Sequence, residues 1–573
     1  MTESTPATPD DPPLPIGIGT ARGGVAGWFR RNIPATGLAL GAILFALSLT
    51  PSLLPRTPLI QGLLSGSVFV VGYAIGAVIE WVWRYLGLKL PGGRIVQTAQ
   101  WAVAAVCFAL VAYCLYRTPD WQNSVRAAMG APPVTYGHPL VVLLVSLVPI
   151  VVFISIGTVF IMSVQMLTRR LMRHAPKRFA FLIGLVIVGI LAASLFSGVL
   201  LRGALRAADS FFENVDRVAG QFGSDPRPAD PNRTGSTASL IAWNSIGKDG
   251  REYVQTSPTK ADIERLNQRP ALEPLRVYVG LRSAQTVDAR VDMALAEMKR
   301  IGAFDRKVLV VITPAGTGWV DPPSIAAVEY LLDGDVASVA LQYSYLISPL
   351  SLLVEPDYGI EAAQALFSAV YGYWTTLPKE TRPRLYLSGL SLGSHASQSS
   401  TQFFDLFADP FNGALWVGPP FTSPIWRMAT ANRAPDSPEW LPKFGNGSSV
   451  RFANRGAQLD TGSDWGPLRI AFLQYPSDPI VFFNMRAWYR APDWMHDPRG
   501  QGVPENFRWY PVVSFFQLAM DMALSNDAPS GYGPIYSPED YAEAWNAILQ
   551  PEGWDDAKLA ALAGVLALNT GRP

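Results

Sequence analysis

The chain has 573 residues, of which 49% are hydrophobic and only 16% charged, and its formal net charge is +1. This near-neutral balance gives no reason to expect nucleic acid as a partner, and so low a charge content is unusual for a wholly water-soluble protein. Both cysteines, Cys107 and Cys114, lie in the N-terminal third, which excludes a disulfide framework, a cysteine zinc site and a cysteine nucleophile from the rest of the chain.

Residues 21–205 are predicted to form a membrane domain behind a disordered tail. Residues 1–20 are rich in Pro, Thr and Asp, which is typical of disorder, and no cleavable signal peptide is evident. About five transmembrane helices are expected, because uncharged apolar stretches long enough to cross the hydrocarbon core follow one another. These stretches are Ile33–Pro55, Leu59–Ile79, Ile95–Tyr116, Pro139–Thr168 and Phe179–Leu201.

The basic residues of this region predict its orientation. They concentrate before the first stretch, between the second and third, and between the fourth and fifth, as at Arg30, Arg84 and Arg169. The positive-inside rule therefore predicts a cytoplasmic N-terminus, and five crossings place the chain after Leu201 outside. Few ionisable groups interrupt the stretches, so an anchor is favoured over a transporter.

The remainder is predicted to be a linker at 206–240 and an α/β catalytic domain at 241–573. Residues 221–235 are rich in Pro, Gly and Asp. Apolar strands and amphipathic helices then alternate, which indicates a mostly parallel sheet with helices on both faces. Such a sheet binds its ligands at the carboxyl ends of its strands. The predicted strands are 275–280, 307–313, 336–344, 385–387, 414–417 and 470–475, and the predicted helices are 287–301, 322–332 and 359–376.

One strand leads directly into a G-x-S-x-G pentapeptide. Leu385–Leu387 is followed by residues 389–393, Gly-Leu-Ser-Leu-Gly, and a helix-compatible stretch begins near Leu392. A strand, a tight turn and a helix in this order are what a nucleophile elbow requires, whereas the alternative is a Gly/Ser-rich loop. A side chain at Gly389 or Gly393 would collide with neighbouring backbone. Ser391 is thus the candidate nucleophile, and the N–H of Leu392 is a candidate oxyanion donor.

A serine nucleophile on such a fold is followed along the chain by an acid and then by a histidine. The strand 470–475 ends in a turn that contains Asp478, which is the candidate acid or, alternatively, only the cap of that turn. His496 is the only histidine after Asp478 and is the candidate base, with a solvated loop histidine as the alternative. His395 lies one helical turn beyond Ser391 and could not comfortably reach its hydroxyl.

Two further segments bear on the site. Residues 314–319 follow a predicted strand and contain Gly316, Thr317 and Gly318, so this loop is a candidate source of the second oxyanion N–H, with a plain glycine turn as the alternative. Residues 419–467 show little periodicity and predict either a lid over the site or ordinary irregular surface.

Seven short segments together form a specific pattern. They are Thr50–Arg56, Arg300–Arg306, Gly316–Trp319, Gln342–Tyr345, Ser391–Ser394, Ser477–Pro479 and Arg508–Pro511. With them the chain resembles the actinobacterial membrane-anchored α/β-hydrolase family, which has a multi-span N-terminal domain and a separate catalytic domain. The resemblance covers nearly the whole chain after the tail.

The resemblance implies an α/β-hydrolase fold with Ser391 as nucleophile and Asp478 as acid. The family pattern also has a Gly-His-Gly-His-x-Tyr segment near the C-terminus, which would supply the base. The matching segment here is Gly531–Tyr536, which contains no histidine, and Tyr475-Pro476 stands where the family tends to carry another. Either His496 substitutes or hydrolysis is weakened, because triad members act as a unit.

The sequence therefore predicts a membrane-anchored serine hydrolase of esterase, lipase or thioesterase type. Its substrates would be acyl esters, with envelope lipids as the inferred class. The alternative is a weakened α/β-hydrolase that binds lipid or a partner. The protein is expected in the cell membrane with the catalytic domain extracytoplasmic. No metal or organic cofactor is implied, and no oligomeric state is predicted.

Overall fold

The chain folds into two compact units in a computed structural model. The helical unit comprises Met1–Arg202, Met485–Ala491 and Pro504–Asp527, and the sheet unit comprises Gly203–Asn484, Pro492–Val503 and Ala528–Pro573. The structure describes residues 34–88, 93–134, 138–195, 226–345, 356–401, 409–455, 459–496, 498–524 and 528–568. The predicted disordered tail, residues 1–20, lies outside the described residues.

Among its described residues, the helical unit contains four helices that are long and apolar enough to cross a membrane. Charged side chains are scarce along them, so most of their surface is apolar. They are α2, α3, α4 and α5 of the series α1 (Ala35–Ser48), α2 (Pro58–Tyr85), α3 (Arg94–Ala128), α4 (Pro139–Leu171) and α5 (Lys177–Ser194). Residues 196–201, the end of the fifth predicted span, lie outside the described residues.

The first predicted span, Ile33–Pro55, is wrong in its extent. Helix α1 has only 14 residues, which corresponds to a length of about 21 Å, short of the ~30 Å hydrocarbon core. The helix ends at Ser48 because Pro51 and Pro55 cannot continue it. The hydroxyl of Ser48 donates a hydrogen bond to the hydroxyl of Ser65 in α2, at 2.8 Å.

In the described part of the sheet unit, seven parallel strands form one sheet in the order β1-β3-β2-β4-β5-β7-β6. The inner strands are almost completely buried, because helices cover both faces, and this explains their continuous apolar sequences. The strands are β1 (Leu275–Val279), β2 (Val308–Thr313), β3 (Val336–Leu341), β4 (Arg384–Leu390), β5 (Gly413–Val417), β6 (Val450–Ala453) and β7 (Arg469–Leu473).

The parallel sheet with flanking helices confirms the predicted fold class. The helices that follow residue 240 are α6 (Gly247–Gln255), α7 (Lys260–Asn267), α8 (Val287–Arg300), α9 (Pro322–Leu331), α10 (Pro356–Thr375), α11 (Leu392–Ser400), α12 (Pro424–Ala431), α13 (Pro479–Phe482), α14 (Val513–Leu524), α15 (Pro538–Leu549) and α16 (Asp556–Leu568). Short 3₁₀ helices cover Trp243–Ser245, Leu281–Ser283, Ala303–Asp305, Met485–Trp488 and Asp493–Met495. Of these, α14 and the 3₁₀ helix Met485–Trp488 belong to the helical unit.

The predicted linker, 206–240, is described from residue 226 onward. There Thr234 is fully buried, and its hydroxyl donates to the backbone carbonyl of Arg276 in β1, at 2.8 Å. The second half of this segment therefore packs on the sheet unit. The aperiodic region 419–467 contains the short helix α12 and the edge strand β6.

Helix α14 returns to the helical unit from the C-terminal part of the sequence. Val513 is fully buried in a cluster with Leu64 and Val68 of α2. The side chains of Arg56 and Asp521 form a fully buried ion pair, with 2.7 Å between Arg56 Nε and Asp521 Oδ1. The helical unit therefore includes a segment that follows most of the sheet unit in the sequence.

Candidate active site

Ser391 occupies a strained turn between β4 and α11. Its backbone has φ 53° and ψ −120°, a conformation that costs about 1–3 kcal/mol for a residue with a side chain. The Ser391 N–H donates to the carbonyl of Val417, at the end of β5, at 2.9 Å. The predicted order of strand, tight turn and helix is therefore observed, and it holds Ser391 at the carboxyl end of the central strand.

Two glycines make this turn sterically feasible. A Cβ at Gly389 would lie 2.4 Å from the carbonyl carbon of Gly393, and a Cβ at Gly393 would lie 2.1 Å from the carbonyl oxygen of Thr313. Contacts this short with backbone atoms cannot be relieved by moving a side chain. The spacing of the two glycines around Ser391 is thus a packing requirement of the elbow.

Asp478 follows β7 and caps the short helix α13. Its Oδ1 accepts the N–H of Ile480 at 3.1 Å, and its Oδ2 accepts the phenolic hydroxyl of Tyr536 at 2.9 Å. The carboxyl group is buried, and burial raises its pKa to about 6, although both hydrogen bonds act in the opposite direction. Both roles considered for Asp478, cap and buried acid, are therefore compatible with its position.

The segment that would supply a histidine in the family pattern lies directly against this acid. The N–H of Gly533 donates to the Ser477 hydroxyl at 2.8 Å. Tyr536 stacks on Tyr475 with 4.4 Å between ring centroids. Burial, together with the Asp478 charge, raises the pKa of Tyr536 far above its usual value, so its phenol stays protonated and cannot act as a base near neutrality.

Ser391 and Asp478 lie at the same edge of the sheet. They follow β4 and β7, which flank β5 on its two sides. At the usual spacing between strands these two ends are about 10 Å apart. Between them stands Gly418, where a Cβ would be 3.2 Å from Asp478 Oδ2 and 3.1 Å from the Tyr536 hydroxyl. The hydroxyl of Tyr536 therefore occupies one hydrogen-bonding position of Asp478 Oδ2, close to Gly418.

The four histidines of the chain are all described, and Asp478 is hydrogen-bonded to none of them among the described residues. His496 is exposed, and its Nδ1 lies 3.1 Å from the carbonyl oxygen of Asp493 in its own turn. His395 lies in α11, where burial lowers its pKa and Nδ1 has no hydrogen-bond partner within the described ranges. The predicted role of His496 as base stays a prediction.

The predicted oxyanion loop forms a tight turn after β2. The N–H of Gly318 donates to the Ala315 carbonyl at 2.8 Å, and Gly318 has a φ of +96°. The Thr317 hydroxyl donates to Asp249 at 2.7 Å, while the Thr317 carbonyl accepts the Gln342 side chain at 2.8 Å. These bonds fix the turn. The assignment of the Gly316 and Thr317 N–H groups as oxyanion donors remains a proposal. The N–H of Leu392 lies in the first turn of α11, where an N–H group has no acceptor within the helix.

A small cavity lies beneath the elbow. It has a volume of about 10 Å³ and is lined by Thr313, Asp321, Ser388 and Tyr541, among others. It has room for about one water molecule, and neither Ser391 nor Asp478 lines it. This cavity is therefore too small for an acyl chain.

The fold and the strained serine turn define an α/β-hydrolase. Residues 275–562 match the model of an alpha/beta-hydrolase family, and residues 49–258 match the model of the N-terminus of an alpha/beta-hydrolase family. The chain therefore belongs to this α/β-hydrolase family, which confirms the α/β-hydrolase family expected from the sequence motifs. No curated protein and no solved structure matches the chain.

Sequence reasoning missed two features of the site region. It did not predict that Tyr536 bonds Asp478, although Tyr536, like Gly531 and Gly533, agrees with the family pattern. It also did not predict the second buried carboxyl group nearby, Asp540, which is bonded to the hydroxyl of Tyr475 and to Ser537. A tyrosine side chain gives no signal of its hydrogen-bond partner in a single sequence when that partner is distant along the chain.

Proposed function

We propose that the protein is a membrane-anchored serine hydrolase that acts on acyl esters. The observation that carries this proposal is the backbone of Ser391, which is held in a strained turn by Gly389, Gly393 and the Val417 carbonyl. Strain at one serine, at the carboxyl end of a central parallel strand, is expected where a hydroxyl must be presented to a substrate. Membership of an α/β-hydrolase family agrees with this role.

In the proposed reaction, Ser391 Oγ attacks the acyl carbon and the alcohol or thiol leaves. The N–H groups of Leu392 and of the turn at Gly316 and Thr317 would stabilise the oxyanion. Asp478 is the acid of the site. His496 would accept the hydroxyl proton only after its side chain left the Asp493 carbonyl, because the two now lie 3.1 Å apart.

The membrane helices support a lipid-derived ester as the substrate class. Four helices have the length and composition to span a membrane, so a hydrolase tethered to them would work close to lipid. We place it in the cell membrane, with its N-terminus cytoplasmic and the sheet unit extracytoplasmic, from the distribution of basic residues in the sequence.

A specific observation favours a second function, that of a weakened hydrolase that binds lipid or a partner. Tyr536, rather than an imidazole, is hydrogen-bonded to Asp478 at 2.9 Å. Without a base next to the acid, a serine hydrolase loses most of the rate that the triad provides.

A fluorophosphonate probe separates the two functions. The probe phosphonylates an activated serine, so rapid labelling of the wild type is expected, with labelling reduced about 100-fold or more in Ser391→Ala. Ser399→Ala is the matched control, because Ser399 lies on the same helix and its hydroxyl donates to the His395 carbonyl. Wild type that folds but is not labelled would support the binding function.

A further inference from the structure

The helical unit contains a second cavity, of about 290 Å³, at one end of its helices. It lies where α2 and α4 begin and where α3 ends, and its lining residues all belong to the helical unit. Its lining includes Arg56, Gln61, Gln122, Arg126 and His138. None of the described residues that line it carries a carboxylate. A polar, basic cavity in an otherwise apolar bundle is expected to have a function.

Arg56 is the most constrained side chain of this cavity. Its side chain is fully buried; Nε donates to Asp521 at 2.7 Å and Nη1 donates to Gln61 Oε1 at 3.1 Å. Gln122 accepts the Arg56 backbone N–H at 2.8 Å. The guanidinium group therefore has a fixed orientation, in contrast to a surface arginine that is free to rotate.

One nitrogen of this guanidinium group, Nη2, has no hydrogen-bond partner within the part of the chain that the structure describes. An unpaired buried N–H of a charged group costs free energy that a bound acceptor would recover. Gln61 Oε1 accepts Nη1 and the Gln61 amide donates to Ser48 and Ser65, so none of the hydrogen bonds of Gln61 satisfies Nη2. The unpaired N–H groups point to a ligand with an acceptor oxygen.

The charges around the cavity favour an anionic ligand. Asp521 balances the charge of Arg56, which leaves Arg126 as an additional positive charge. Arg126 Nε donates to a neutral group, the Pro132 carbonyl, at 2.6 Å. An oxyanion in the cavity would therefore meet the net positive charge of Arg126 beside the fixed guanidinium group of Arg56, and arginine is well suited to bind phosphate and carboxylate groups.

We propose that this cavity binds a singly charged oxyanion, the phosphate or carboxylate group of a small anion or of an anionic lipid. The volume of 290 Å³ accommodates a head group but not a pair of acyl chains. With a lipid, the head group would occupy the cavity and the chains would extend along the apolar surface of the helices.

The test is binding to the full-length protein in a neutral detergent, measured by native mass spectrometry. The probes are dioleoyl phosphatidylglycerol, dioleoylglycerol, which has the same chains without the phosphate, and inorganic phosphate. The variants are Arg126→Gln, and Arg56→Lys, which keeps a positive charge beside Asp521 but loses Nη2. Arg84→Gln is the control, because Arg84 lies in the last turn of α2, at the end remote from Gln61.

We expect phosphatidylglycerol to bind and dioleoylglycerol not to bind. Affinity should fall about tenfold or more in Arg126→Gln and Arg56→Lys, as for loss of a charge-assisted hydrogen bond, and stay unchanged in Arg84→Gln. Competition by inorganic phosphate, with the same dependence on Arg126, would identify a free anion as a ligand and would also support the site. The proposal is overturned if neither anion binds, if both lipids bind equally, or if a folded Arg126→Gln variant binds like the wild type.

Discussion

The phenolic hydroxyl of Tyr536 donates a hydrogen bond of 2.9 Å to Oδ2 of Asp478. The two residues are 58 positions apart, and their contact places a C-terminal tyrosine on the candidate acid. Tyr536 is itself stacked on Tyr475, so the acid lies in a rigid, buried environment. Burial raises the pKa of Asp478, and the hydrogen bond from Tyr536 opposes that effect in part.

The first prediction concerns the pH dependence of stability. Burial raises the pKa of Asp478 from 3.8 to about 6, so the folded state holds this proton more tightly than the unfolded state. Its contribution to stability is complete below about pH 4 and is lost as the pH rises through 6. Relative to Asp478→Asn, the wild type should lose about 2–3 kcal/mol between pH 4 and pH 7.

Unfolding of the full chain in detergent, followed by tryptophan fluorescence across this pH range, measures the effect. Tyr536→Phe removes a hydrogen bond that lowers the pKa of Asp478. The free energy of unfolding of this variant should therefore continue to fall to a higher pH than that of the wild type. If the free energies of unfolding of the wild type and Asp478→Asn changed in parallel with pH, the raised pKa of Asp478 would be refuted.

The second prediction concerns the glycines of the elbow. Gly389→Ala and Gly393→Ala should each abolish fluorophosphonate labelling and destabilise the protein by several kcal/mol, because each Cβ would lie within 2.4 Å of backbone atoms. The control is Gly372→Ala in α10, where a Cβ meets nothing within 4 Å. That variant should be neutral or up to about 1 kcal/mol more stable. Normal labelling of Gly393→Ala would contradict the elbow geometry.

The third prediction concerns the missing base. Position 534 corresponds to the second histidine of the family pattern, and Gly533 beside it is bonded to Ser477. Pro534→His combined with Tyr536→Phe, which frees Asp478 Oδ2, should raise ester hydrolysis by about 10²-fold or more, as expected for a positioned general base.

His496→Ala is the comparison for this gain. Because the proposed reaction uses His496 as the proton acceptor, its removal should lower the rate of the wild type by about 10²-fold. A change of less than about twofold in His496→Ala would show that His496, which is exposed and bonded within its own turn, is not the base. No gain in a folded Pro534→His/Tyr536→Phe variant would show that this segment cannot supply one.

The fourth prediction concerns membrane topology. Both native cysteines are buried, so they should react little with a maleimide, and the labelling of a single cysteine introduced at an exposed position can be measured. Glu380→Cys in the sheet unit should react with a membrane-impermeant maleimide in intact cells, whereas Arg173→Cys, between α4 and α5, should react only after lysis. The reverse pattern would place the sheet unit in the cytoplasm.

The sequence identifies the features that depend on local patterns. The strand before Ser391, the two glycines and the helix after it are all encoded within a dozen residues, and the structure places them together. The apolar strands around them are readable because a strand buried on both faces needs continuous apolar residues. The edge strand β6 was not predicted, since four residues in an aperiodic region carry too little pattern.

The features that the sequence does not reveal depend on contacts between distant residues. The ion pair of Arg56 with Asp521 spans 465 positions, and no local property of Asp521 distinguishes it from a surface acid on an amphipathic helix. The end of α1 at Ser48 was misjudged for a related reason. Residues 49–55 are apolar enough to extend a membrane span by composition, but the two prolines among them end the helix.

Covalent trapping of Ser391 tests the central claim most directly. Full-length protein is mixed with p-nitrophenyl butyrate, and the peptides are analysed by mass spectrometry while nitrophenolate release is recorded. The account predicts a butyryl group on Ser391, formed as the bond from the acyl carbon to nitrophenolate breaks, with neither adduct nor release above background in Ser391→Ala. Equal hydrolysis by wild type and Ser391→Ala, with no adduct on Ser391, would contradict it.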